Sequence, residues 1–369
     1  MDWTGTSREV PRHTTKADNS RRSSVLSMSD YKTMLNKSIT LGPRQLGFDT
    51  FQGISASLDM PPYMYIENDN FLQTGELKMQ EREANTRPGP SASDFSRINV
   101  SNTILQNAIH FLRRNIMKSA TENKEQKAQH LSPVFLFVSL TSPHTPILPS
   151  PEFQGQSSLG PYGDYVMQAD DTVGQIMLEL KRLNVYDNTL VIFTSDNGFS
   201  RDVEASDKNR FRFPHFPSGR YRGMKADIYE GGHRVPLVVQ WPARIVPNSV
   251  NNDPVSLTDL FATFADIVKE GELEKKSGHG EDSYSLLPLL LGNQVGSKSG
   301  HDDLSVALSP QKKQNIKRKS LMYQRTHLVV HSYHGKFAIR ERHYILAFVG
   351  GSGGEYLSLR VEFFLKPFI

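Results

Sequence analysis

A chain of 369 residues, 37% hydrophobic and 22% charged, can bury a sizeable core as one large domain or two ordinary ones. It contains no cysteine, which excludes disulfides, cysteine-ligated zinc and cysteine nucleophiles within it. Its net charge of +4, from 43 basic and 39 acidic side chains, is mild and lacks the basic stripe interleaved with aromatics that marks a nucleic-acid binder, so no nucleic-acid partner is expected.

Residues 1–40 are polar and weakly patterned and read as a loose segment. Met1 to Val25 holds no apolar h-region, so no secretory signal is expected there, and no apolar run approaches the roughly 18 residues needed to span a bilayer. From Leu41 to Phe71 the chain is rich in Gly, Pro and aromatics. Asp59-Met60-Pro61-Pro62-Tyr63 cannot be helix interior, because paired prolines remove donors and fix φ, and it reads as a packed loop or strand edge. Residues 82–96, charged and then Pro/Ser-rich, read as a surface connection. Ser101 can cap a helix carrying Ile104, Leu105, Ala108, Phe111, Leu112 and Ile116 at helical spacing. The continuous apolar run Pro133 to Leu140 has the length of a strand buried on both faces.

A second helix is expected over 164–184, with Val166, Ala169, Val173, Ile176, Met177, Leu180 and Leu183 on one face, followed by a buried strand over 188–194. Strand, helix, strand in this order predicts a right-handed crossover and a parallel sheet. Leu237 to Trp241 reads as a short strand, and Thr258 to Val268 as a helix with Leu260, Phe261, Phe264, Ala265 and Val268 inward. Residues 320–332 and 336–349 read as two antiparallel strands of a small sheet. The pattern divides into a loose segment 1–40, an α/β domain 41–295, and a small C-terminal subdomain 296–369 with an atypical tail.

In open α/β sheets, loops leaving the carboxyl ends of parallel strands form the binding crevice. Two such loops stand out: Thr141-Ser142-Pro143-His144-Thr145-Pro146 and Ser195-Asp196-Asn197-Gly198. Asp196 and Asn197 offer hard oxygen ligands of the kind calcium and magnesium take, while the plain reading of Asn-Gly is a common turn. His144 reads either as a site residue or as a loop histidine between two prolines. The segment Tyr221 to Pro236 sets Arg222 and Lys225 beside Gly231-Gly232. Paired glycines let backbone approach a ligand and the two cations suit an anion, although lysine is ordinarily just solvated. His233 reads as structural or peripheral. The cluster Lys312-Lys313 and Lys317-Arg318-Lys319 reads as a solvated loop. Gly350-Gly351-Ser352-Gly353-Gly354 matches a nucleophile elbow, but no Asp or His comes after it, so a flexible glycine turn is the better reading. His331 and His334, three apart on an expected strand, face opposite ways and do not share a metal.

Taken in order, these motifs resemble the sulfatase family. The glycine-rich block Gly42-Pro43, Leu46-Gly47-Phe48-Asp49 and Phe51-Gln52-Gly53 continues through Ser55 to Tyr63, as in arylsulfatases and N-acetylgalactosamine-6-sulfatase-like proteins. Ser142 to Pro146, Thr194 to Gly198, Lys225 with Tyr229 to Gly232, Trp241-Pro242, Thr258 to Thr263 and Asp282 to Leu287 come next in family order. The resemblance implies an alkaline-phosphatase-like fold, a mostly parallel sheet flanked by helices with a small C-terminal antiparallel sheet. It further implies hydrolysis of an aryl or carbohydrate sulfate ester at a Ca2+ site. By position, Asp196 and Asn197 correspond to calcium ligands, and His144 and Lys225 to residues that hold the sulfate and leaving-group oxygens. The implied partner is a sulfated small molecule or glycan.

The sequence also departs from the family pattern. The early aspartate pair, the C-x-P-S-R or S-x-P-S-R motif whose Cys or Ser becomes formylglycine, and the G-K-W-H-L-G block do not occur in it. Met1-Asp2-Trp3 resembles the residues immediately after that last block, so the chain is expected to begin well inside the family pattern, and Glu355 to Ile369 no longer resembles it. Two alternatives stand beside the sulfatase reading: a non-catalytic remnant that binds sulfated sugar, and a phosphoesterase of the same superfamily using zinc and a Thr or Ser nucleophile.

Overall fold

The computed structural model describes residues 27–72, 76–83, 85–126, 132–200, 215–268, 280–292, 325–341 and 344–354. The lysine cluster at 312–319, the first 26 residues and the tail 355–369 lie outside them. The chain forms two compact units, Met1–Leu183 with Asp202–His215, and Asn184–Arg201 with Phe216–Ile369.

In the first unit, helix α1 (Met28–Leu35) forms where hydropathy gives no helical signal. A reciprocal cap makes it: Asp30 N donates to Ser27 Oγ at 3.2 Å, and Ser27 N donates to Asp30 Oδ2 at 2.9 Å. Leu35 then packs with Met64, Leu77 and Ala92 in a small core. Strands β1 (Gln52–Ile54), β2 (Tyr65–Glu67) and β3 (Asn70–Leu72) form an antiparallel meander, and β4 (Leu77–Gln80) pairs antiparallel with β5 (Gly89–Ala92). β5 corrects the reading of 82–96 as surface. The absence of a side chain at Gly89 lets β5 lie on Pro61, where a Cβ would stand 2.3 Å away, so Gly89 and Pro90 are buried. Tyr63 makes a parallel bridge to Ser91, confirming the packed-loop reading of 59–63.

Helix α2 (Val100–Gln126) buries Leu105, Ala108, Leu112 and Ile116, as its spacing predicts. Helix α3 (Gly160–Arg182) begins earlier than expected and buries Ala169 and Leu180 of the expected face together with a polar stripe beside them. Tyr165, Gln168, Thr172 and Glu179 are inside, while Val166 is exposed. This face is polar because its groups are satisfied. Gln168 accepts from Ser150 N at 3.0 Å and donates to Asn102 at 3.1 Å, and Arg113 of α2 makes a two-point ion pair with Glu179, both bonds 2.8 Å. Residues 132–140 are not a strand. A strand buried on both faces needs a neighbour at each edge, and no strand among the described residues pairs with this run. Phe135 and Phe137 are accordingly 58% and 69% exposed.

In the second unit, β6 (Val191–Thr194) pairs with β7 (Leu237–Gln240) antiparallel, Val191 opposite Gln240 and Thr194 opposite Leu237. The helix Asp259–Ile267 occupies its expected place but buries Asp259 and Thr263, with Phe261 exposed. Asp259 is fully enclosed by an ion pair with Arg325 and by the amides of Ser256 and Tyr284 at 2.8 and 3.0 Å. The C-terminal sheet is antiparallel as expected but has three strands, β8 (His327–His331), β9 (Phe337–Glu341) and β10 (Tyr344–Ala347), because the second predicted strand folds back on itself. No helix among the described residues is long and apolar enough to cross a membrane.

Candidate functional site

The loop leaving β6 carries the first predicted pair. Asp196 is exposed, with Oδ1 accepting from Asn197 N at 2.9 Å. The Asn197 amide group donates to Gly198 O at 3.0 Å, which leaves its side-chain oxygen as an available acceptor. The two side chains thus present oxygen ligands of the right type for a hard cation. Such an ion takes six to eight oxygens, and among the described residues no group of three or more His, Cys, Asp or Glu could hold a metal. The donor chemistry fits calcium, and the donor number is incomplete in these residues.

The loop Tyr221–Arg234 lies directly on this turn. Gly198 N donates to Gly232 O at 3.0 Å, and Lys225 N donates to Phe199 O at 2.8 Å. A Cβ on Gly198 would stand 1.8 Å from Gly231 O, a Cβ on Gly231 would stand 2.0 Å from Gly223 O, and one on Gly232 2.6 Å from Asp227 O. The paired glycines therefore admit backbone rather than ligand, a correction to their sequence reading. The interlock joins the main chain of the turn that carries Asp196 and Asn197 to that of the loop that carries Lys225. Lys225 is half-buried and its ammonium has no carboxylate partner among the described residues. Arg222, by contrast, lies over the Tyr229 ring at 4.1 Å.

The C-terminal sheet fixes this loop from behind. Tyr333 N donates to Ala226 O at 2.9 Å, Ile228 N donates to Ser352 O at 2.9 Å, and Arg340 of β9 reaches Glu230 Oε1 at 3.1 Å. Ala226 needs that support, since its φ of 80° is unfavourable for a residue with a side chain. Glu230 is buried and takes a second cation, Arg234, at 3.2 Å. None of these supports was legible in sequence. Ser352 sits between Gly351 and Gly353, both with positive φ, so the apparent elbow is a glycine turn that braces the Lys225 loop. His331 accepts no metal-like company, its Nδ1 lying 3.0 Å from Ser332 O and its ring 5.9 Å from Phe337.

His144 belongs to the first unit, whereas Asp196, Asn197 and Lys225 belong to the second. Its loop is a tight turn, with His144 N donating to Thr141 O at 3.0 Å. His144 Nδ1 stands 2.6 Å from Thr145 O, so in the neutral ring the proton sits on Nδ1 and Nε2 is the acceptor.

Residues 20–270, more than half of the chain, match the family model described as Sulfatase. The chain is 31% identical over 289 residues to an N-acetylgalactosamine-6-O-sulfatase of Bacteroides thetaiotaomicron, a match covering 72% of this chain and 56% of that one. It is 41% identical over 162 residues to the steryl-sulfatase of Rattus norvegicus, covering 44% of this chain and 27% of that protein. Against the N-acetylgalactosamine-6-sulfatase of Homo sapiens it is 34% identical over 197 residues, covering 53% and 33% respectively. Among solved structures, one titled for the metabolism of multiple glycosaminoglycans by Bacteroides thetaiotaomicron superposes with a TM-score of 0.65 at 24% identity, covering 85% of this chain and 64% of that one. The chain belongs to the sulfatase family, and its fold is the family's alkaline-phosphatase-like α/β fold with a small C-terminal antiparallel sheet. It spans about half the length, or less, of the curated relatives it matches.

Proposed function

We propose that this chain carries part of the machinery of a sulfuric ester hydrolase, with Asp196 and Asn197 as calcium ligands and Lys225 and His144 as the groups that hold sulfate and leaving-group oxygens. The observation that supports the reading is the main-chain interlock of the 195–199 and 221–234 loops, one carrying two side chains with oxygen donors and the other a half-buried lysine with no carboxylate partner among the described residues. Calcium bound there supplies positive charge that polarises the transferring sulfuryl group. Lys225 supports the same oxygens as a point charge held in place by its main-chain bond to Phe199. His144 offers Nε2, which when protonated donates to the oxygen of the departing alcohol.

Thermal unfolding of the 369-residue chain with calcium, with sulfate and with both tests this reading. Calcium at a hundredfold excess over its Kd raises stability by about 2.7 kcal/mol. Asp196→Ala removes the calcium shift, while Lys225→Ala keeps it and removes the sulfate shift. A chain that calcium and sulfate leave unmoved would sink the proposal. Release of 4-nitrophenol from its sulfate ester then separates a hydrolase from a binding-only protein.

A further inference from the structure

The first unit holds a cleft of about 290 Å³, whose rim includes Thr145, the residue next to His144. Its wall is polar throughout: Asp59, Arg82, Asn85, Thr86 and Arg87 line it together with Glu83 and Thr145. Such a wall offers a steroid or an aryl ring little apolar surface to cover, but it suits a hydroxylated, charged ring.

Exposed arginines are ordinarily just solvated, and two observations separate Arg87 from that case. Its main chain is held at both ends, with Arg87 N donating to Asp59 O at 2.9 Å and Tyr63 Oη donating to Arg87 O at 2.6 Å. The turn before it is closed on itself, with Thr86 N and Glu83 O 3.1 Å apart and Glu83 N donating to Thr86 Oγ1 at 3.2 Å. The base of the Arg87 side chain is thus fixed, yet neither guanidinium, of Arg82 or Arg87, has an ion-pair partner among the described residues. Of the two carboxylates in the wall, Glu83 is already paired with Arg97 and Asp59 accepts the Ser57 hydroxyl. The cleft is left with two uncommitted cations against one carboxylate.

We infer that this cleft is an anion subsite, in which Arg82 and Arg87 receive an oxyanion of a glycan bound beside His144. The inference rests on the sulfate-ester reading, and it selects a polyanionic glycan over a steryl or aryl sulfate. The oxyanion is either a uronate carboxylate or a second sulfate, which guanidinium forks recognise alike.

Calorimetric titration of the full chain with four probes tests it: 4-nitrophenyl sulfate, a tetrasaccharide alternating N-acetylgalactosamine 6-sulfate with glucuronate, the carboxyl-reduced form of that tetrasaccharide, and the form that lacks its second sulfate. Replacing both arginines, Arg82→Gln with Arg87→Gln, is expected to weaken the tetrasaccharide about tenfold or more. Binding of the monoanionic 4-nitrophenyl sulfate stays within about twofold. Arg87→Lys should lose less than Arg87→Gln, and equal losses would overturn anion recognition whether or not the glutamine variants are fully folded. A fall in affinity on carboxyl reduction identifies the uronate; a fall only when the second sulfate is removed identifies the sulfate; no fall in either case overturns the subsite. Wild-type protein that binds the monoanion as tightly as the tetrasaccharide refutes the subsite and leaves the sulfate-ester reading intact. Protein that binds neither refutes that reading first, and the subsite with it.

Discussion

Replacing Gly198 by alanine probes the contact on which the candidate site depends. The added Cβ would stand 1.8 Å from Gly231 O, 2.9 Å from Gly231 C and 3.1 Å from the Gly232 Cα, all of them backbone atoms with no rotamer to escape into. Ordinary van der Waals contact begins near 3.4 Å, so the two loops must part by roughly 1.6 Å. That opening breaks the bond from Gly198 N to Gly232 O, now 3.0 Å, and stretches the neighbouring bond from Lys225 N to Phe199 O, now 2.8 Å. Overpacking at about 1–3 kcal/mol and two weakened hydrogen bonds at about 0.5–1.5 kcal/mol each give a loss of roughly 2–6 kcal/mol. The assay is urea denaturation read alongside the calcium and sulfate shifts. Gly174→Ala serves as the matched control, since its Cβ meets nothing within 4 Å and it sits inside helix α3. It should stabilise by about 0.5–1 kcal/mol through helix propensity. A Gly198→Ala protein with wild-type midpoint and unchanged ligand shifts would refute the claim that the glycine is there to let the loops touch.

Asp259→Ala should destabilise the second unit by about 3–5 kcal/mol in chemical denaturation, because it removes the buried carboxylate that pairs with the Arg325 guanidinium and accepts from the amides of Ser256 and Tyr284. The Arg113 guanidinium, hydrogen-bonded to Glu179, holds that carboxyl below the usual carboxylate range. A depressed folded-state pKa gives stabilisation that is full above the unfolded value, about 4.3, and is lost as pH falls through the folded one. Stability measured from pH 6 down to pH 3 should therefore fall more steeply in wild type than in Glu179→Gln, and parallel curves would show that the pair contributes nothing. Phe137→Glu, at a side chain that is 69% exposed, should lower light scattering at high protein concentration; unchanged scattering would place the adhesive surface elsewhere.

Much of the chemistry was legible from residue type and order. The Asp196-Asn197 turn, His144, Lys225 and the motifs around them identify the family because each is short and local and their succession along the chain is specific. Helix α2 was equally readable, since an apolar stripe at helical spacing needs only one partner face. The polar part of the buried face of α3, beside the expected Ala169 and Leu180, and the buried face of the helix Asp259–Ile267 were not. Tyr165, Gln168, Glu179 and Asp259 are inside only because distant groups, Ser150 N, Arg113 and Arg325, arrive to satisfy them. Hydropathy cannot anticipate a partner that is far away in sequence.

The sequence by itself determined which side chains could do chemistry and in what order they come. Only the tertiary structure decided how they are held: Gly231 and Gly232 admit backbone instead of ligand, Ser352 and Arg340 brace the Lys225 loop, and residues 133–140 remain without a strand partner among the described residues. The physical reason is the same in each case. A catalytic side chain is a local property of the chain, whereas close approach, bracing and strand pairing require two segments to meet, and neither segment alone encodes the other.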